Sequence, residues 1–194
     1  MAFPAFLDAC TLVSIRLTDL LLRLAEAQLF RPLWSADVLD EVERTLPRID
    51  PRLTVDKARS RVHRMRAAFP DAEVTGYDSL IEAMTNHPKD RHVLAAAARG
   101  DAAIIVTFNI KDFPAEALAP YDIDAVNPDD FLLDQLDLYP RETVQCLLEQ
   151  IAARRRPPES IRDFLSRFGN TVPGFCDRVG ELDLIAPGIG PGED

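Results

Sequence analysis

The apolar residues alternate between short continuous runs and longer stretches with a three-four spacing. The clearest run is Ile104-Ile105-Val106, which passes directly into Thr107, Asn109, Lys111 and Asp112. A run that is apolar along its length marks a buried parallel strand, covered by helices on both faces. Ala5-Phe6-Leu7 before Asp8, Leu33-Trp34-Ser35, Glu73-Val74-Thr75 and Ile123-Asp124-Ala125-Val126 read as further strands. Between them the period becomes helical. Residues 12–29 place Leu12, Ile15, Leu20, Leu24 and Ala27 on an amphipathic helix. Residues 38–46 form the next, capped by Ser35 or Asp37 and ending before Pro47. Residues 54–69 are the most regular, with Val55, Ala58, Val62, Met65 and Phe69 in one stripe. A short helix at 79–84 follows, then one at 91–99 introduced by His87-Pro88-Lys89-Asp90 and closed by Gly100, and another at 129–136 after Asn127-Pro128.

Strands that alternate with helices at this spacing predict an α/β fold, a three-layer α/β/α domain with a mainly parallel sheet, over residues 1–138. After Leu138 the pattern is helical: 140–155, 159–168 and 172–179, with at most one strand at 182–185. Residues 139–186 are expected as a helical C-terminal extension, and the Pro/Gly-rich 187–194 as a flexible tail.

The chain has 194 residues, 47% hydrophobic and 28% charged, enough for a core without staples. Three scattered cysteines, Cys10, Cys146 and Cys176, show no metal-binding spacing and no disulfide framework, which suits a reducing cytoplasm. No stretch approaches the roughly 20 apolar residues of a membrane span, and no signal peptide is expected. A net charge of −10 argues against a broadly basic nucleic-acid surface. One local exception is the helix at 54–69. Lys57, Arg61 and Arg64 are expected opposite its apolar stripe, and Arg59 and Arg66 beside it. That face reads equally well as solvated surface or as a phosphate-tracking patch.

Ligands of open α/β sheets collect at the carboxyl ends of the strands. Four acids fall at that edge: Asp8 after the first strand, Glu41 on the helix after the second, Asp90 at the start of the helix before the central strand, and Asp112 just beyond it. Each has a plainer reading. Asp90 suits a helix N-terminus, Asp112 a turn before Pro114, and Glu41 a solvated face shared with Asp37, Asp40 and Glu43. Helical phase does not separate Glu41 from Glu43. Convergent carboxylates repel one another and call for a cation. Oxygen donors without paired Cys or His point to Mg2+ or Mn2+, and such sites serve phosphate chemistry.

The segments Phe6-Leu7-Asp8-Ala9-Cys10-Thr11-Leu12, Ser35-Ala36-Asp37-Val38-Leu39-Asp40-Glu41-Val42, Lys89-Asp90-Arg91-His92-Val93-Leu94-Ala95-Ala96-Ala97 and Ile105-Val106-Thr107-Phe108-Asn109-Ile110-Lys111-Asp112-Phe113-Pro114 resemble, in order and spacing, the four motifs of PIN-domain nucleases. The nearest group is the VapC-type toxins of bacterial type II toxin–antitoxin pairs, and the resemblance spans residues 3–136. It implies a Mg2+- or Mn2+-dependent endoribonuclease, a VapB-type antitoxin partner and a homodimer. It places Asp8, Glu41, Asp90 and Asp112 as the acidic quartet, with Asp8, Asp90 and Asp112 on the metal. Thr107 and Asn109 are supporting polar residues, and Arg59, Arg61, Arg64 and Arg66 are candidate RNA contacts. Asn109 stands where many relatives carry Asp, and Cys10 where Asn or Ser is frequent. A haloacid-dehalogenase-type site fits poorly, because Asp8-Ala9-Cys10 breaks its Asp-x-Asp. A phospho-acceptor receiver lacks its paired N-terminal acids. A PIN module that binds RNA or a protein partner without cutting is the remaining alternative.

Overall fold

The computed structural model describes residues 2–154 and 159–182. Five strands form one sheet: β1 (Pro4–Leu7), β2 (Arg31–Ser35), β3 (Glu73–Val74), β4 (Ile104–Val106) and β5 (Asp124–Val126). Their order is β3-β2-β1-β4-β5, and every pairing is parallel. The helices are α1 (Ala9–Leu12), α2 (Ile15–Glu26), α3 (Ala36–Ile49), α4 (Val55–Ala68), α5 (Arg91–Arg99), α6 (Ala115–Leu118), α7 (Pro128–Leu138), α8 (Pro140–Ala153), α9 (Ile161–Phe168) and α10 (Pro173–Glu181). This is the expected α/β architecture with a helical C-terminal region. The first strand lies at the centre, with Phe6 opposite Leu33 on one side and Ile105 on the other. Its residues Ala5, Phe6 and Leu7 are fully buried, which is why it is apolar on both faces.

The helix expected at 12–29 is two helices. α1 stops at Leu12 because the Leu12 carbonyl is taken by the Thr18 hydroxyl at 2.9 Å and by Arg61 Nη2 at 3.0 Å. The chain turns at Val13–Ser14 and restarts as α2. The helix expected to end before Pro47 instead runs through it to Ile49. Proline lacks an N–H and forfeits one helical hydrogen bond. This close to the end the loss is tolerated, and Asp50 N still bonds to Leu46 O at 3.1 Å. The helix expected at 79–84 is a 3₁₀ turn, Asp78–Ala83. α6 was not anticipated, being one turn of Ala115–Leu118 after Pro114. On α4 the expected stripe holds at Ala58, Val62 and Met65, but Val55 is exposed. Arg61 sits at the stripe's edge, half-buried, rather than opposite it. The expected strand at 182–185 falls outside the described residues except for Leu182, a bend after α10. The tail at 187–194 and the Arg155–Pro158 end of the helix expected at 140–155 also lie outside them.

The C-terminal helices are joined to the sheet domain through polar as well as apolar contacts. α8 packs on α2 and α7, and α10 on α7. Gln150 Nε2 donates to Arg16 O at 2.8 Å. The Asp129 carboxylate accepts from the N–H groups of Gly174 and Phe175 at 2.9 and 2.8 Å, which anchors the start of α10. Phe164, Phe168 and Phe175, all fully buried, make a small edge-to-face core of their own. No helix among the described residues is long and apolar enough to cross a membrane.

At the end of α5, Gly100 is required by proximity. A Cβ there falls 2.8 Å from Val74 Cγ2 and 3.1 Å from Leu33 Cδ1, where α5 lies on β2 and β3. We expect Gly100→Ala to lower the unfolding free energy by about 1–3 kcal/mol through overpacking. The urea midpoint reads this, and an unchanged midpoint would show that α5 lifts off the sheet without cost.

Candidate active site

The site begins with the register of two adjacent strands. Leu7 of β1 is paired with Val106 of β4, so the next residues, Asp8 and Thr107, emerge side by side at the carboxyl edge. Asp8 turns out of its strand to cap α1, and its Oδ1 accepts from Ala9 N at 2.6 Å. Oδ2 accepts from the Thr107 hydroxyl at 2.7 Å and the Cys10 thiol at 3.0 Å. With 4% exposure, this carboxylate is fixed by three donors. Burial, and next the Asp8 charge, push the Cys10 thiol up to about 12, so it stays protonated and able to donate. Cys10 Sγ accepts from Phe108 N at 3.3 Å, and Thr107 Oγ1 from Asn109 N at 3.0 Å. These bonds hold the loop after β4 against α1.

Asp90 closes a 3₁₀ turn, Pro88–Asp90, and is the N-cap of α5. Asp112 closes another, Ile110–Asp112, which begins after Asn109. The two turns are stitched together because His87 N donates to Asp112 O at 3.1 Å. As a result one ligand atom from each of His87, Asp90 and Asp112 lies within 4.8 Å of the others. Asp8 and Glu41 are not in that group, but their charges reach it. Burial, then Asp8, then Asp112 raise the Asp90 pKa above its ordinary value, against His87 and His92. Burial, then Asp8, raise that of Glu41, with Asp90 adding and with His92 and Arg44 opposing. Asp90 thus feels both Asp8 and Asp112, and Glu41 feels Asp8 and Asp90. The structure also separates Glu41 from Glu43, which helical phase did not: Glu43 turns away to Arg59 at 3.3 Å.

His87 and His92 were missed in the sequence. His87 read only as part of a helix start, although its position three residues before Asp90 was a usable signal. Its Nδ1 lies 3.4 Å from Asp90 Oδ2 and also accepts from Lys89 N at 3.4 Å. Asn86 beside it is 2% exposed, and neither side-chain amide atom has a hydrogen-bond partner among the described residues. Mutually repelling carboxylates joined by one imidazole fit a hard divalent cation.

The arginines expected to meet RNA are largely engaged within the chain. Arg59 pairs with Glu43, and Arg66 with Glu73 at 2.7 Å. Arg61 bonds to Leu12 O, and burial brings its guanidinium down to about 10. Arg64 Nε donates to Ser60 O of its own helix at 3.3 Å.

Comparison with known proteins adds to this picture. A family model described as PIN domain matches residues 4–111, more than half of the chain. A second, described as VapC50 C-terminal domain, matches residues 128–181. A Mycobacterium tuberculosis (strain ATCC 25618 / H37Rv) protein named "Putative ribonuclease VapC50" is 51% identical over 107 residues, covering 55% of this chain and 63% of the relative. The match thus spans less than two thirds of that relative's length. No solved structure matches the chain.

The raised pKa values set a pH dependence. The folded chain holds more protons than the unfolded chain between the ordinary carboxylate values, 3.8 for Asp and 4.5 for Glu, and the raised ones. Asp90 and Glu41 therefore stabilise the chain most below that window, and the contribution is lost as pH rises through it. A divalent cation competes with those protons. The thermal shift produced by Mn2+ should grow as pH rises through the window, and shrink in Asp90→Asn. A shift that is absent or independent of pH would reject a metal at these carboxylates.

Proposed function

The chain belongs to the PIN-domain family, and from that premise we propose that it is a Mg2+- or Mn2+-dependent endoribonuclease, the toxin of a VapBC-type pair. The carrying observation is the convergence of Asp90, Asp112 and His87, whose ligand atoms lie within 4.8 Å of one another, in the field of the buried Asp8 carboxylate. Residues 1–138 form the nuclease domain in this reading and 139–186 its extension. The homology to a VapC-type ribonuclease supports the reaction class.

Asp90 and Asp112 would hold the cation, with His87 within reach and the Asp8 carboxylate contributing charge. The bound ion supplies a lowered water pKa and neutralises charge on the phosphate. Asp8 can offer little more than one free lone pair, because three donors occupy the rest of its carboxylate. Its main work is to fix geometry and charge. Glu41 is the base: its pKa is raised and its side chain is exposed to solvent, so it can take the proton of an attacking water. The water oxygen forms a bond to phosphorus as one ester P–O bond breaks, and the leaving oxygen is reprotonated from solvent. Thr107 positions Asp8, and Asn109 positions Thr107 through its backbone N–H. That role does not need an acid at position 109.

The proposed partners are an RNA substrate, a VapB-like antitoxin whose cationic side chain pairs with the carboxylates, and a second copy of the chain. The proposed compartment is the cytoplasm. Asn109 in place of an acid favours one second reading, a PIN module that binds without cutting.

Cleavage of a labelled single-stranded RNA with Mg2+ or Mn2+ tests this. We expect Asp90→Asn and Glu41→Gln each to lower the rate by roughly 100-fold or more, with the circular dichroism unchanged. Equal cleavage by the native chain and both variants removes the assignment. Metal-dependent RNA binding with no cleavage establishes the second reading.

A further inference from the structure

The described residues hold a second charged cluster, away from the acids, where the extension meets the sheet domain. Glu159 is 7% exposed on its side chain and is approached by three guanidiniums: Arg16 at 3.1 Å, Arg167 at 3.0 Å and Arg154 at 3.7 Å. Arg16 and Arg154 also each lie 5.5 Å from the centroid of the buried Phe164 ring. One carboxylate can neutralise only one of three guanidiniums, and like charges gathered this closely repel one another. Neither Arg16 Nε nor Arg154 Nε has a hydrogen-bond partner among the described residues. The cluster therefore carries uncompensated positive charge.

These three arginines line a cleft of about 580 Å³ whose far wall, from the α3–α4 turn, carries Arg52. Arg52 is 89% exposed and pairs with Asp50. Four arginines against Asp50 and Glu159 leave a surplus of two positive charges, on a chain whose net charge is −10. Ile15 and Ile49 on the same walls are 45% and 58% exposed, so apolar surface lies beside the charge. Val13, which ends α1, lines the cleft, and Asp8 caps the other end of that helix. Five residues at about 1.5 Å each put the cleft and the acidic site on the order of 8 Å apart along α1.

We propose that this arginine cleft binds the phosphate backbone of single-stranded RNA next to the segment held at the acidic site. The proposal rests on the nuclease reading for its substrate and goes beyond it in assigning a binding site to the junction with the extension. An acidic site that needs a cation before it accepts one phosphate gives little hold on the rest of an RNA strand. Guanidiniums bind phosphates directly and often bidentately. On α4, Arg59 and Arg66 each have a carboxylate to themselves, Glu43 and Glu73, whereas three of the cleft arginines share the single carboxylate of Glu159.

The test is fluorescence anisotropy with a fluorescein-labelled mixed-sequence RNA in EDTA, so that binding is read without cleavage. Titrations are repeated across a salt series for the native chain, Arg167→Glu, Arg167→Lys, Arg52→Glu and Asp90→Asn. We expect each charge reversal to weaken binding at least roughly fivefold and to flatten the log–log salt dependence by about 0.7 for each phosphate that is no longer neutralised. Arg167→Lys should keep the native slope, and Asp90→Asn, which removes a charge that repels phosphate in EDTA, should bind no more weakly than the native chain. Among the described residues the Arg52 guanidinium pairs only with Asp50, so its variant reports on the cleft even if Arg167→Glu loosens the extension. Native affinity and slope in both reversals would overturn the proposal, as would a native chain that does not bind RNA. Displacement of RNA by polyglutamate, with both reversals binding RNA normally, would assign the cleft to an acidic protein and also overturn it. Cleavage by the native chain with unaltered binding in the reversals removes this inference alone. Impaired binding in the reversals with no cleavage by the native chain removes the nuclease reading alone.

Discussion

A buried carboxylate that cannot move is the constraint on which the site depends. Asp8 leaves the central strand of a parallel sheet at 4% exposure, where an unpaired charge is very costly. It is tolerated because the chain supplies donors from two directions. The Ala9 N–H comes from the helix that Asp8 itself caps, and the Thr107 hydroxyl from the neighbouring strand's end. Parallel pairing of β1 with β4 makes that meeting possible, because residues 99 apart in sequence leave the sheet together. With Asp8 fixed, its negative field is fixed too, and both Asp90 and Glu41 feel it.

The remaining acids are held by less. Asp90 and Asp112 stand on short 3₁₀ turns joined by one backbone hydrogen bond, from His87 N to Asp112 O. Asp8 is thus held by donors to its side chain, whereas Asp90 and Asp112 are placed by the backbone of two joined turns. Mg2+ demands near-ideal octahedral geometry and keeps several waters. Under the proposed function, a divalent cation bound there would offset the repulsion that Asp8 maintains, and would displace protons as the carboxylates ionise.

Much of this was legible in the sequence, for definite reasons. Ile104-Ile105-Val106 could only be a covered strand, and the acids at strand ends and helix starts followed from the topology of parallel sheets. The break between α1 and α2 was hidden, because apolar periodicity continues across Val13–Ser14, and the Leu12 carbonyl is taken not only by the nearby Thr18 hydroxyl but by Arg61, 49 residues away. Glu41 and Glu43 could not be told apart until Arg59 of α4 drew Glu43 away. His87 was hidden by its own local role, since a residue that begins a 3₁₀ turn looks structural until Asp112 arrives beside it from 25 residues downstream. In each case the missing information was a contact distant in sequence.

The extension shows the same dependence on distant contacts. Its Phe164 core is local, yet the ring is flanked by Arg16 of α2 and Arg154 after α8, and both guanidiniums join Arg167 at Glu159. Removing a buried carboxylate from such a group leaves several cations facing one another, which is far costlier than losing one surface pair. Glu159 thus couples the extension to the start of α2, only a turn of chain from α1. The charges on the two sides of α1 have opposite sign: acids at its Asp8 end and surplus arginine at its Val13 end. Burial at one end is resolved by fixed donors. At the other it is resolved by one carboxylate shared among three arginines, and the surplus faces solvent. A chain with a net charge of −10 that keeps its positive surplus one short helix away from its acids has separated the charges that an anionic polymer and a divalent ion would each seek.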